Sequence, residues 1–211
     1  VILDAISIQL RAVAKHLGLQ STVIVDLLKS FPDELEDLVL HFVEDLTPPT
    51  VTLTPDLIAI IKSIFFSRSH KNARFLLPVI QYLTKDELER SLEHVLNLDV
   101  NPLRACIQRL INANSSGTRT DVYTPQELLF TLHKYGNTTD QEFLKKVVSA
   151  TLVCFGREYR QVFNPNVLAS VIQQLLEMKP LPQLLMRTVI QTMKSFPMET
   201  EEFIVNVLLR L

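Results

Sequence analysis

Apolar residues recur along this chain at helical spacing. Within residues 88–96 and 168–176 they return every three or four positions, which places them on one face of an α-helix. No segment shows the sustained alternation of apolar and polar residues that is typical of a β-strand. The pattern therefore predicts an all-α fold.

Residues that stabilise helix N-termini stand at several points between these apolar segments. A Thr or Asn side chain can accept a hydrogen bond from the first turn, and a following Pro at the first helical position loses no hydrogen bond. Such pairs begin at Thr54, Asn101, Thr124 and Asn164. Capping boxes, in which a Glu also bonds back to the N-terminus, are predicted for Thr84 with Glu87 and for Thr124 with Glu127.

These signals predict about twelve helices of roughly 8–17 residues, joined mostly by short connections. The predicted starts lie near Ile2, Thr22, Asp33, Pro55, Asn72, Lys85, Pro102, Pro125, Asp140, Pro165, Pro182 and Glu199. Helix pairs of about 30–45 residues are typical of HEAT and armadillo arrays. We therefore expect residues 1–211 to form a single irregular HEAT/armadillo-like solenoid, a fragment of a larger protein, with possible joints at 47–53 and 112–123.

Composition narrows the class of protein. Hydrophobic residues make up 47% of the chain, yet no apolar run approaches the roughly 20 residues of a membrane-spanning helix. Two cysteines, Cys106 and Cys154, are too few for a disulfide framework and favour a reducing compartment. We predict a soluble protein of the cytosol or nucleus.

The sequence offers no recognisable catalytic or metal-binding motif. Its 4 glycines disfavour a Gly-rich phosphate loop, and Cys154 lies among apolar neighbours, which is typical of a buried and inert thiol. His41 and Asp45 are four residues apart and could offer two metal ligands, but such a pair is more often a solvated ion pair on a helix. We therefore predict a non-enzymatic protein with no catalytic residue, metal site, cofactor or small-molecule substrate.

Nucleic-acid binding is the alternative that the charge pattern leaves open. Residues 101–211 carry 12 Lys and Arg against 9 Asp and Glu. Basic side chains surround one aromatic residue at Lys145, Lys146, Arg157, Arg160 and Tyr159. Such a patch could bind RNA, although basic residues near a helix C-terminus are favourable without any ligand. Protein binding in the grooves between helices is the function that the pattern favours.

The predicted helix over residues 182–195 carries the candidate partner-binding residues. Its apolar stripe is predicted to contain Leu185, Val189 and Met193. Another side of the same helix carries Arg187, Gln191 and Lys194. Arg is enriched at binding hot spots because its planar guanidinium keeps its geometry at low entropic cost. A purely structural alternative is an ion pair between Arg187 and a carboxylate such as Glu177.

The second part of the chain resembles the C-terminal domain of the symplekin family. The most specific segments are VLASVIQQLLE at 167–177 and PLPQLLMRTVIQ at 180–191, with weaker support from TPQELL at 124–129 and ATLVCF at 150–155. The resemblance extends from about residue 83 to residue 211. Residues 1–82 share the helical pattern but match fewer family segments.

This resemblance implies a nuclear scaffold without catalytic activity that acts in cleavage and polyadenylation of messenger-RNA precursors. The family's C-terminal domain is associated with the metallo-β-lactamase-type endonuclease subunit and its inactive paralogue. Catalysis would then belong to a partner. RNA binding would not be direct, and no membrane partner is implied.

Overall fold

The computed structural model describes residues 9, 12, 21–48, 52–115, 123–197, 205 and 209. Within these residues the secondary structure is helical, and no strand occurs. The all-α prediction is confirmed over these residues. Two compact units divide the chain, Val1–Tyr82 and Leu83–Leu211. The second unit begins at Leu83, which is about where the family resemblance begins.

Three α-helices form the described part of the first unit: α1 Thr22–Lys29, α2 Glu36–Leu46 and α3 Pro55–Ser67. Helix α3 packs against α1 and against a 3₁₀ turn at Ala73–Leu76. Pro55 is the first residue of α3, and the Leu57 N–H donates to Thr54 Oγ1 at 3.4 Å. Thr54 therefore caps this helix as predicted.

The prediction of an α-helix that begins near Asn72 is wrong. The chain instead forms two 3₁₀ turns, Ala73–Leu76 and Ile80–Tyr82. The Asn72 side chain caps the first turn by accepting from the Arg74 N–H at 3.1 Å. Pro78 stands between the two turns and has no N–H to donate, so the α-helical ladder cannot run through it. The start predicted near Asp33 is likewise a 3₁₀ turn, Asp33–Leu35, that leads into α2.

Six α-helices form the described part of the second unit. They are α4 Lys85–Leu96, α5 Val100–Ser115, α6 Pro125–Tyr135, α7 Gln141–Cys154, α8 Pro165–Leu176 and α9 Leu185–Ser195, with a 3₁₀ turn at Arg157–Tyr159 between α7 and α8. Helix α7 packs on α4, α5 and α6. Helix α8 packs on both α6 and α9.

Both predicted capping boxes are present, at Thr84 with Glu87 and at Thr124 with Glu127. Asn164 also caps its helix, since its side chain accepts from the Val167 N–H at 3.1 Å. The cap predicted at Asn101 is wrong. Helix α5 already begins at Val100, because the Leu103 N–H bonds to the carbonyl of Asp99, one residue before that start.

Nine α-helices lie in the described ranges, so the count of about twelve is not matched. The helix starts predicted near Ile2 and Glu199 fall outside those ranges. In the joint predicted at 112–123, residues 112–115 continue α5 and Tyr123 is buried. Residues 116–122 lie outside the described ranges. Thr47, at the start of the 47–53 joint, is buried and donates to the Val43 carbonyl at 2.6 Å. The single HEAT/armadillo-like array stays a prediction.

Candidate protein-binding site

Helix α9 presents one face to the interior of the second unit. Leu185, Thr188, Val189 and Thr192 lie on this face and are at most 2% exposed. Met193 does not belong to it: the prediction that it continues the apolar stripe is wrong, because 41% of the residue is exposed. Thr192 takes the buried position instead, which is possible because its hydroxyl donates to the Thr188 carbonyl at 2.9 Å.

A buried histidine ties α9 to α6. His133 Nδ1 lies 2.7 Å from the Leu129 carbonyl oxygen, and Nε2 lies 2.7 Å from Thr188 Oγ1. A carbonyl only accepts, so Nδ1 carries the proton and Nε2 accepts from the Thr188 hydroxyl. His133 and both of its partners are thereby satisfied without water. This bond also explains why Thr188 can occupy an apolar face.

The segment that precedes α9 is fastened to the turn after α6. The Gln183 N–H donates to Asn137 Oδ1 at 3.0 Å. Gly136 permits a close approach here, because a Cβ added to it would lie 2.7 Å from Cδ1 of Leu184. Helix α9 is therefore held at its N-terminal end as well as along its inner face.

The opposite face of α9 combines apolar and basic side chains. Met186, Ile190 and Met193 are 44%, 47% and 41% exposed. Arg187 and Lys194 are exposed beside them, and Gln191 is half-buried. We call these six residues the outer face of α9. The structure thus places the three predicted binding residues on one side of the helix, next to an apolar stripe that the sequence analysis missed.

That apolar stripe could have been found from spacing alone. Met186, Ile190 and Met193 follow the i, i+4, i+7 pattern of a helical face. Leu185 and Val189 fit a second face equally well, and Met193 lies between the two. With Met193 predicted on the buried face, only Met186 and Ile190 remain for the outer face, and two residues are too few to predict an apolar stripe.

The structural alternative for Arg187 is not observed. No ion pair joins Arg187 to Glu177, although both residues are described and exposed. Helix α9 itself carries no Asp or Glu between residues 185 and 195. The guanidinium is therefore not neutralised within its own helix or by Glu177.

The basic residues of the RNA-binding alternative do not form one patch around an aromatic ring. Lys145 pairs with Glu142 at 2.6 Å, and Lys146 donates to the Asn97 carbonyl at 2.6 Å. Arg157 lies beyond the end of α7, and the helical segment from residue 145 to 154 alone spans about 14 Å at ~1.5 Å per residue. Tyr159 is only 7% exposed, so its ring is not available for base stacking.

The cysteines lie in surroundings that keep them unreactive, and the His41 ring lies within hydrogen-bond distance of its own helix backbone. Burial raises the pKa of both Cys106 and Cys154 to about 12, which keeps the thiols protonated near neutral pH. His41 Nδ1 lies 2.7 Å from the Asp37 carbonyl oxygen of its own helix. No group of three or more metal-ligating side chains occurs in the described part of the chain.

Burial also lowers the pKa of His133 below its ordinary value of 6.5, and its bond to Leu129 only partly opposes this shift. The unfolded chain therefore binds this proton more readily than the folded chain. We predict that the free energy of unfolding falls as the pH drops below about 6.5, with a slope of at most about 1.4 kcal/mol per pH unit from this group. Chemical denaturation between about pH 7 and pH 5 measures this slope.

His133→Gln should reduce the slope, because the variant has no imidazole at this position to bind the proton. An identical slope in the His133→Gln variant and the parent protein would contradict the assignment of His133 as a buried neutral group.

Comparison with protein families matches residues 72–211, about two thirds of the chain, to the family described as "Symplekin tight junction protein C terminal". The chain belongs to this symplekin family. The match covers all of the second unit, including α9, and begins within the Val1–Tyr82 unit at Asn72, which caps the 3₁₀ turn Ala73–Leu76. Comparison with solved structures gave no match.

Membership of the symplekin family suggests a scaffold role with protein partners, and the family is not known as an enzyme. None of the described helices is both long enough and apolar enough to cross a membrane. Within the symplekin domain, the outer face of α9 is a surface whose composition suits such a partner. Exposed apolar residues and Arg together are typical of binding interfaces.

Proposed function

We propose that this chain is a non-enzymatic scaffold in the nuclear machinery that cleaves and polyadenylates messenger-RNA precursors. It docks the metallo-β-lactamase-type endonuclease subunit and that subunit's inactive paralogue. The observation that carries the proposal is the outer face of α9, on which Arg187, Gln191 and Lys194 border three exposed apolar residues. Membership of the symplekin family supports the scaffold role.

Support also comes from how firmly α9 is held. Its inner face is buried, its Thr188 bonds to His133, and the residue two positions before its start bonds to Asn137. A surface on a fixed helix loses little conformational entropy when a partner binds. The backbone of α9 is therefore already in place before the partner arrives.

The test replaces Arg187 and Gln191 together with alanine. We expect the double variant to capture the purified endonuclease subunit and its paralogue at least about fivefold less tightly than the parent chain, because loss of one or two interface anchors costs roughly 1–4 kcal/mol. Thermal unfolding should change little. Capture is measured by immobilising the full chain and titrating each purified subunit.

A matched pair on another helix serves as the control. Gln141 and Lys145 have the same four-residue spacing on α7 and are exposed. Gln141→Ala with Lys145→Ala should leave capture unchanged. Full capture by the Arg187/Gln191 variant, or reduced capture accompanied by lost stability, would contradict the proposed docking surface.

A further inference from the structure

The outer face of α9 has separate apolar and basic edges. At about 100° per residue, Met186, Ile190 and Met193 share an arc of about 60°, and Arg187 and Lys194 follow about 40–60° further round the helix. All five residues are exposed. Single exposed apolar residues are ordinary, but a contiguous stripe bordered by polar groups marks an interaction site.

The basic edge is not balanced by carboxylates of the described residues. Arg187 and Lys194 take part in none of the ion pairs found among them. A third cation, Arg160, lies over the Phe196 ring at 5.8 Å, just beyond the C-terminal end of α9. The favourable partner for this edge therefore carries negative charge.

The apolar edge determines the kind of negatively charged partner. The two methionines have flexible, polarisable side chains that adapt to an apolar partner. Phosphate backbones gain nothing from such a stripe, and stacking on bases requires aromatic rings, which the outer face of α9 lacks. The stripe extends over about 10 Å at ~1.5 Å per residue. Two turns of an amphipathic helix cover that length with residues at i, i+4 and i+7.

We infer that the outer face of α9 binds an acidic amphipathic helix, whose apolar stripe packs on Met186, Ile190 and Met193 and whose carboxylates pair with Arg187 and Lys194. This inference rests on the proposed scaffold function and names the element that a partner contributes. The basic edge lies on one side of the apolar stripe only. It therefore also sets which side of the partner helix faces Arg187 and Lys194.

Designed peptides test this directly with the full chain. The probe is a helical peptide with Leu at i, i+4 and i+7 and Glu along one edge, and the matched peptide carries Lys in place of each Glu. We expect fluorescence anisotropy to show at least tenfold tighter binding of the Glu peptide. Arg187→Glu with Lys194→Glu should reverse this preference. Ile190→Asp should weaken binding of both peptides, and thermal unfolding verifies that each variant is folded.

Equal binding of the two peptides, or no binding of either, would overturn the inference, even if the chain still captures the endonuclease subunit and the proposed function stands. Binding of the Glu peptide without capture of either subunit would support the inference and refute the proposed partners. Self-association that Ile190→Asp abolishes would assign the face to a second copy of the chain. Peptide binding that requires removal of residues 198–211 would assign the outer face of α9 to that segment. Self-association through this face and its occupation by residues 198–211 would each overturn the inference.

Discussion

Leu175→Ala is expected to lower the free energy of unfolding of the second unit by about 2–5 kcal/mol, the range for truncating a leucine in a packed interior. Leu175 lies on α8 with 0% of its surface exposed, and α8 packs on both α6 and α9. Loss of the side chain therefore leaves a cavity between helices, which the surrounding helices cannot fill without moving. Denaturant unfolding with an unchanged m-value measures the effect.

Gln174 provides the matched control, because it precedes Leu175 on the same helix and is exposed. Gln174→Ala should change stability by no more than about 0.5 kcal/mol. A Leu175→Ala variant as stable as the parent chain would mean that this face of α8 is not part of the core.

Phe75→Ala is expected to destabilise the Val1–Tyr82 unit by about 3–5 kcal/mol. Phe75 is 1% exposed, and its ring centroid lies 6.4 Å from that of Phe31. Cζ of Arg68 lies 3.6 Å from the Phe31 ring centroid, and Nη2 of Arg68 donates to the Phe31 carbonyl at 2.6 Å. Truncation of Phe75 therefore removes a neighbour of the Phe31 ring, which Arg68 contacts as well. Amide hydrogen exchange, which reports local unfolding, should rise throughout this unit.

Val23→Ala is the control for this unit, since Val23 is 62% exposed on α1, and it should change exchange little. Unchanged exchange in the Val1–Tyr82 unit would contradict the placement of Phe75 in a core.

Much of the local structure could be predicted from short stretches of sequence. Thr54, Thr124 and Asn164 cap helices because a side-chain oxygen and the N–H groups it accepts from are only a few residues apart. The apolar face of α8 was identified for the same reason, since i, i+3 and i+4 neighbours share a face in any helix. The family was recognised from the segments at 167–177 and 180–191, and residues 72–211 match it.

Two helix boundaries were predicted less accurately. Asn101 and Pro102 resemble a helix start, yet α5 begins earlier because the Asp99 carbonyl is free to accept the first bond. The start predicted at Pro182 lies three residues before α9, because residues 182–185 form a turn in which the Leu185 N–H bonds to the Pro182 carbonyl. In both places a backbone hydrogen bond sets the helix boundary, and the side chains that predict a cap do not specify it.

Short stretches of sequence were enough to predict that the described residues are helical, where most of their helices begin, and to which family the chain belongs. These properties reside in residues that lie close together along the chain. The buried face of α9, in contrast, depends on packing against other helices. His133 lies 55 positions before Thr188, and their bond satisfies the Thr188 hydroxyl on the buried face, where Thr192 also lies. Met193 lies on the outer face, beside Arg187 and Lys194. No local pattern encodes the burial of Thr188, because its hydrogen-bond partner is supplied by another helix.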